Sequence, residues 1–115
     1  MSLNKDEILG CEDLEVLAVA VPEWSGEIHL RTMTAADRDA FEATVAGTGD
    51  GRSLENIRAR MLVRVICDSK GKRIFKDGDA AALGTRSGIV LDRLFDSARA
   101  LNKIGEEEVD AAVEK

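Results

Sequence analysis

The segment from Val21 to Glu42 constrains the fold more strongly than any other part of the chain. Its first half carries apolar residues at the two-residue period of a β-strand, on both sides of a short turn that contains Trp24. A helix-start signal follows, because Thr34 can cap a first turn and Asp37, three residues later, suits a variant of the capping box. The segment therefore predicts two antiparallel strands that run directly into a helix.

The two predicted strands cover residues 14–21 and 27–33, and the first is rich in branched aliphatic side chains. Apolar residues occupy both faces of this first strand, so we expect both faces to be at least partly covered. One face carries Leu17, Val19 and Val21, and the other carries Val16, Ala18 and Ala20. Because two strands alone are unstable in water, helices must pack against the hairpin.

Helical periodicity accounts for most of the remaining chain. The predicted helices run from Asn4 to Gly10, from Thr34 to the glycines at 47–51, from Ser53 to about Cys67, and from Thr85 or Ser87 to about Asn102. The side chains expected to face the core are Ala36, Ala40, Phe41, Thr44 and Val45, then Leu54, Ile57, Met61, Leu62, Val65 and Ile66, and finally Ile89, Leu91, Leu94, Phe95, Ala98 and Leu101.

A less regular segment separates the last two long helices. A turn is predicted at 69–71, and the apolar pair Ile74 and Phe75 is a candidate third strand. A brief helix, capped by Asp77 or Asp79, follows this pair. The overall prediction is an α+β fold, in which an antiparallel β-hairpin packs on three or four helices.

A length of 115 residues predicts one domain, 1–115, with residues 1–12 and 104–115 as candidate flexible ends. Hydrophobic residues make up 44% of the chain, which is enough to fill one core. No apolar run approaches the length that spans a bilayer, and the start has no secretory pattern. We therefore expect a soluble cytoplasmic protein with no membrane partner.

The charge distribution is uneven along the chain. The net charge of −6 argues against a general affinity for nucleic acid. Acidic side chains outnumber basic ones by 11 to 4 in residues 1–52, whereas basic ones outnumber acidic ones by 7 to 2 in residues 53–76. This basic middle either pairs with acidic groups inside the fold or forms a surface that steers a partner.

The residue groupings that announce an enzyme, a metal site or a cofactor site are missing. His29 is the only histidine, and no nucleophile is placed to act with it. Cys11 and Cys67 are far apart and form no CxxC pair, so two reduced thiols are favoured, although a disulfide stays open. The glycine-rich loop at 47–51 lacks the lysine ending of a phosphate-binding loop. We therefore predict no catalytic residues, no metal ligands and no cofactor.

Two features are candidate partner-binding sites. Trp24 is the only tryptophan and lies in a turn, where it either covers the core or forms an exposed anchor of the kind enriched in binding hot spots. Arg58, Arg60 and Arg64 lie within one predicted helix. They form either a solvated face paired to the acidic N-terminal half or a patch for an acidic segment of another protein.

The order of these features resembles the tail assembly chaperone family of phages with long, non-contractile tails. The resemblance extends from about Leu14 to Asn102, and the turn at DSKGK departs from the more acidic turn of such proteins. It rests on Trp24, Gly26, Arg31, Thr34, Asp37 to Asp39, Phe41, Glu42, Val63 to Asp68, Gly71, Lys72, Ile74, Phe75, Asp79, Leu83, Leu91, Leu94, Phe95, Leu101 and Asn102.

This resemblance implies a role in assembly rather than catalysis. Such chaperones bind the tape measure protein, keep it soluble, help to recruit tail tube subunits through a longer frameshifted form, and are absent from the finished virion. A phage or prophage origin and self-association into a homo-oligomer are both compatible with this role. One alternative is a structural, tail-completion or head–tail adaptor protein of the virion. Another is a small DNA-binding regulator that uses the basic helix at 53–67.

Overall fold

The structure is a computed structural model that describes residues 2–46 and 56–104, with side chains described outside 44–46. These residues contain five helices and three strands in chain order: α1 (Lys5–Leu9), β1 (Val16–Val21), β2 (Gly26–Arg31), α2 (Ala35–Ala46), α3 (Ile57–Val65), β3 (Ile66–Cys67), α4 (Ala80–Leu83) and α5 (Gly88–Asn102). Short 3₁₀ turns at Pro22–Trp24 and Asp77–Asp79 precede β2 and α4. The predicted loop at 47–51, the predicted cap Ser53 and the chain from 105 onward lie outside the described residues.

The strands form one antiparallel sheet in the order β1-β2-β3. Leu17 of β1 lies opposite Leu30 of β2, and Leu30 in turn lies opposite Ile66 of β3. The predicted hairpin and the α+β class are therefore confirmed. The third strand was predicted at the wrong place, because Ile66 and Cys67 leave α3 and pair with β2 whereas Ile74 is 58% exposed.

The core lies where one face of the sheet meets α3 and α5. Leu30 and Ile66 on this face are almost completely buried, and six of the nine residues of α3 are buried. The fully buried side chains with the largest volumes are Leu30, Met61, Leu62, Ile66, Leu94, Val21, Val63 and Val65. Aliphatic packing thus fills this core, as the 3% aromatic content requires.

The helix ends follow the local capping signals with two exceptions. Thr34 Oγ1 accepts a hydrogen bond from the Asp37 amide at 3.1 Å, and Ser87 Oγ accepts one from the Val90 amide at 3.4 Å. The Asp37 carboxylate, however, binds arginines rather than completing a capping box. Asp79 precedes α4 as predicted, but its carboxylate accepts from the Lys76 amide and does not cap α4.

Three burial predictions fail. Ile89 is 80% exposed, because Val90 occupies the core-facing position in the first turn of α5. Ala36 is also exposed, and Asn56 has a left-handed φ of 54°, so that α3 begins only at Ile57. On β1, Val16, Ala18 and Ala20 are exposed, so the expectation that both faces of this strand are covered is wrong.

Asn102 joins the end of α5 to the segment between β2 and α2. Its Oδ1 accepts a hydrogen bond from the Met33 amide at 2.6 Å, and its Nδ2 donates to the Ala98 carbonyl at 2.9 Å and the Arg31 carbonyl at 3.4 Å. Asn102 is 7% exposed, so these bonds satisfy main-chain groups that water does not reach. This one side chain therefore fixes α5 against the sheet.

Candidate partner-binding surface

Trp24 lies at the end of the sheet where the chain reverses between β1 and β2. The 3₁₀ turn at Pro22–Trp24 ends at Ser25, whose φ of 58° is in the left-handed region and directs the chain into β2. The indole is half-buried and packs against the core cluster. The two interpretations of Trp24 are therefore compatible, because one part of the ring covers the core and another part remains exposed.

The exposed part of Trp24 borders an open cleft of about 520 Å³ against the start of α5. Val90, which is buried, and Ile89, which is 80% exposed, supply further apolar groups. Arg86 also lines the cleft. We call this surface the Trp24 cleft, and it consists of Glu23, Trp24, Thr85, Arg86, Ser87, Ile89 and Val90.

An ion pair holds the Trp24 turn against α5. Both terminal nitrogens of Arg93 donate to the Glu23 carboxylate, each at 2.8 Å. These hydrogen bonds lower the pKa of Glu23 from 4.5 to about 2, with a smaller contribution from a main-chain hydrogen bond. The same hydrogen bond raises the pKa of Arg93. The pair is exposed, so it orients the turn more than it stabilises the fold.

The three candidate arginines of α3 do not form a single patch. Arg58 donates to Asp92 of α5 at 2.8 Å and lies 5.9 Å from the centre of the Phe95 ring. Arg60 and Arg64 instead line a small cleft beside Asp77. Arg58 is half-exposed and Arg64 is largely buried, so the two present different surfaces to a partner.

Arg64 belongs to a network of charged side chains between β2, α2, α3 and the turn before α4. The Asp37 carboxylate accepts from Arg31 at 2.6 Å and from Arg64 at 3.0 Å. Asp77 accepts from Arg64 at 3.0 Å and from Arg73 at 2.8 Å, and the hydrogen bond from Arg73 is the main cause of its lowered pKa. The basic middle of the chain therefore pairs in large part with acidic groups of the same fold.

The two thiols lie in different environments. Cys11 and Cys67 are both free; Cys11 is exposed, and its thiol donates to the Glu7 carbonyl at 3.1 Å. Cys67 is buried opposite His29 on the neighbouring strand, and this burial raises the pKa of its thiol. Within residues 2–46 and 56–104, no cluster of three or more metal-ligating side chains is found. No helix in the same part of the chain is long and apolar enough to cross a membrane.

Sequence reasoning identified Trp24 but missed its neighbours across the cleft. Ile89 was assigned to the buried face of its helix, yet it lies five residues before Leu94, which is a rotation of about 140° away on an α-helix. Helical geometry could therefore have found it. The Glu23–Arg93 pair joins residues 70 positions apart, and no local pattern in the sequence indicates it.

The sheet, the helices and their connections define an α+β fold. The family model described as phage tail assembly chaperone matches residues 14–114. The chain therefore belongs to the phage tail assembly chaperone family. A solved structure of the bacteriophage HK97 tail assembly chaperone has the same fold, with a TM-score of 0.61 and 21% sequence identity over 76% of this chain and 85% of that chain. A comparison with curated protein sequences found no significant match.

The family expectation drawn from the sequence is thus confirmed. Several of the residues that carry the resemblance have structural roles in this fold. Arg31 and Asp37 pair with each other, Thr34 caps α2, and Asn102 fixes α5 to the sheet. The resemblance therefore indicates the fold more directly than it indicates the surface that a partner contacts.

Proposed function

We propose that this protein binds the tape measure protein during tail assembly and keeps it soluble until tail tube subunits are recruited. The observation that carries the proposal is the Trp24 cleft, in which Ile89 is 80% exposed next to a half-buried tryptophan. A partly exposed tryptophan next to an exposed aliphatic side chain is a suitable anchor for a partner, because tryptophan is enriched in binding hot spots. Membership of the chaperone family makes an assembly client the natural partner.

The cleft suits an amphipathic helix of the client. Trp24 and Ile89 provide apolar anchors, and Arg86, which also lines the cleft, suits an acidic side chain next to the apolar stripe of that helix. The net charge of −6 keeps the complex soluble while apolar surfaces are in contact. Arg58 and Arg60 are further candidate contacts for an acidic client segment, whereas Arg64 acts through the network that positions α3.

The remaining parts of the proposed role concern the assembly pathway. The protein acts in the cytoplasm of the host and leaves before the virion is complete. A longer frameshifted form contacts the tail tube protein, and self-association of this chain covers the apolar client-binding surface when no client is present. These steps apply equally to a phage gene and to a prophage gene.

Co-expression with the tape measure protein tests the proposal directly. We expect the tape measure protein to become soluble and to be pulled down with this chain, and purified tails to lack the chain. Ile89→Asp should abolish this effect, because it places a charge in the cleft. The matched control is Ile74→Asp, which alters another exposed isoleucine outside the cleft.

Two results would contradict the proposed function. If the solubility of the tape measure protein does not change and the chain is found in finished tails, the protein is a structural component of the virion. If Ile74→Asp and Ile89→Asp reduce solubility equally, the Trp24 cleft is not the surface that binds the client.

A further inference from the structure

The outer edge of β1 is open in the described part of the chain. The sheet order is β1-β2-β3, so β1 is an edge strand, and none of the described strands lies along its outer side. The Thr32 amide donates to the Glu15 carbonyl at 2.9 Å, and these two residues lie directly opposite each other at the start of the ladder. This bond fixes which main-chain groups of β1 point toward β2 and which point away from the sheet.

Hydrogen-bonded and non-hydrogen-bonded pairs of residues alternate along an antiparallel ladder. Because Glu15 and Thr32 form a hydrogen-bonded pair, the next such pair is Leu17 and Leu30. The residues between the hydrogen-bonded positions direct both their N–H and their C=O groups outward. In β1 these residues are Val16, Ala18 and Ala20. The edge therefore presents three main-chain donors and three main-chain acceptors at the spacing that another strand requires.

The devices that usually protect such an edge are absent from β1. Residues Val16–Val21 contain no charged side chain and no proline, and their pairing with β2 is continuous without a bulge. Val16 and Leu17 are 38% and 44% exposed, and Ala18 and Ala20 are exposed as well. An uncharged edge strand with exposed apolar side chains is able to pair with an additional strand.

The charges around this edge indicate what kind of strand fits it. Glu12, Asp13 and Glu15 are exposed immediately before β1, and Glu27 is exposed opposite Ala20. No ion pair joins any of these four carboxylates to a basic side chain within residues 2–46 and 56–104. Lys70 and Lys103 line the same cleft as Glu12, Asp13 and Glu15, whereas Arg38 beside them pairs with Glu42. Acidic side chains therefore remain in excess around this edge, which favours Lys or Arg at the ends of an added strand.

We propose that the β1 edge binds an extended apolar segment of the client, flanked by Lys or Arg, by strand addition. A second copy of this chain is a poorer occupant, because its own β1 is bracketed by the same acidic residues and like charges would meet. The site is distinct from the Trp24 cleft and contacts a different part of the client. The identity of the client rests on the proposed function, whereas the chemistry of the edge does not.

A peptide titration tests the edge without the client. The probe is a synthetic peptide of alternating Val and Thr with paired Lys at both ends, and the comparison peptides carry Glu at both ends or a central Pro. We expect the Lys-flanked peptide to shift the amide resonances of Val16, Ala18 and Ala20 and to slow their hydrogen exchange about tenfold or more. Equal binding of the Glu-flanked peptide, or no change in β1, would overturn the proposal.

Two sets of variants separate edge pairing from folding. Ala18→Pro removes one outward N–H without removing a bond to β2, so it should weaken peptide binding about tenfold or more, while Ala18→Val should retain binding. Should Ala18→Pro fail to fold, the double variant Glu12→Lys and Glu15→Lys is used, because both side chains are exposed. This double variant should reverse the preference between the Lys-flanked and Glu-flanked peptides, and an unchanged preference would overturn the proposal.

Co-expression with the tape measure protein then distinguishes the two proposals. If the wild-type chain makes the client soluble and the folded edge variants do not, both proposals are supported. If the edge variants are as effective as the wild type, client binding stands and strand addition of a client segment is wrong. If the wild type itself has no effect on the client but the peptide results hold, the tape measure assignment fails and the strand-addition site remains.

Discussion

The charged network around Asp37 and the Trp24 cleft differ in how far their side chains are exposed to solvent. The network directs its groups inward, since the Asp37 side chain is 13% exposed and that of Arg31 is 8% exposed. The cleft instead leaves Ile89 80% exposed. Of the residues by which the chain resembles its family, Arg31, Asp37 and Arg64 belong to the network, where they hold elements together, whereas Trp24 belongs to the cleft. The cleft is therefore the better place to look for partner recognition, because its exposed groups contribute less to stability.

The largest effect is expected from Asp37→Ala. Removing this carboxylate leaves the buried guanidinium of Arg31 without its ion-pair partner, and breaking a buried pair in this way costs about 3–5 kcal/mol. Urea denaturation followed by circular dichroism measures the loss of unfolding free energy. The control is Asp92→Ala, which removes an ion pair to Arg58 in which both side chains are about half-exposed and should cost at most about 1 kcal/mol. Equal losses for the two variants would contradict the contrast between buried and exposed pairs.

A smaller loss is expected from Asn102→Leu. The Met33 amide, which donates to Asn102 at 2.6 Å, would lose its acceptor, and such an unsatisfied buried group costs about 1–3 kcal/mol. Urea denaturation measures the total loss of unfolding free energy, and hydrogen exchange tests the effect at individual amides. Faster exchange of the Met33 amide, with little change in the fully buried strand β3, is the expected pattern. Unchanged exchange at Met33 would show that Asn102 does not hold this segment.

Ile89→Asp should leave stability nearly unchanged. The side chain is 80% exposed and lies in the first turn of α5, where an acidic residue interacts favourably with the helix dipole. We expect a change within about 0.5 kcal/mol in the free energy of unfolding, together with loss of client solubilisation. Trp24→Ala should be more destabilising, because the indole also packs on the core. A large stability loss for Ile89→Asp would mean that this surface is structural.

The smallest effect concerns the pH dependence contributed by Glu23. Its folded-state pKa is lowered from 4.5 to about 2, so its stabilising contribution is present above pH 4.5 and is lost as the pH falls toward 2. Thermal unfolding of the wild type and of Glu23→Gln should therefore differ slightly near neutral pH. The difference should close between pH 4.5 and 2. A difference independent of pH would indicate that the Glu23–Arg93 pair does not form in solution.

Features of the fold that depend on neighbouring residues could be predicted from the sequence, whereas features that depend on distant residues could not. The strands on either side of Trp24, the Thr34 cap and the apolar stripe of α3 were predicted, because each depends on neighbours within a few residues. The position of β3 was not predicted. Ile66 and Cys67 continue the apolar pattern of α3, and pairing with β2 on one side and with Arg73 and Ile74 on the other makes them a strand.

In the candidate site as well, the sequence indicated a residue with a local signal but not its distant neighbours. Trp24 was identified from its residue type and its place in a turn, but its neighbour Ile89 was assigned to the core. The ion-pair partners of the arginines could not be predicted either, because they lie on other elements. Arg58 pairs with Asp92, and Arg64 pairs with Asp37 and Asp77. Ion pairs between distant positions depend on how helices cross, and a linear charge pattern does not contain that information.

By itself, the sequence determined the α+β class, the hairpin followed by a capped helix, and the family to which the chain belongs. The fold class, the hairpin and the capped helix follow from local periodicity, capping and turn chemistry, all of which act between neighbouring residues, whereas the family follows from the resemblance of the chain to tail assembly chaperones. Only the tertiary structure decided which strand completes the sheet, which apolar side chains remain exposed, and which charges are paired. These outcomes depend on competition among distant segments for the same core and the same partners, and that competition is resolved only when the chain packs.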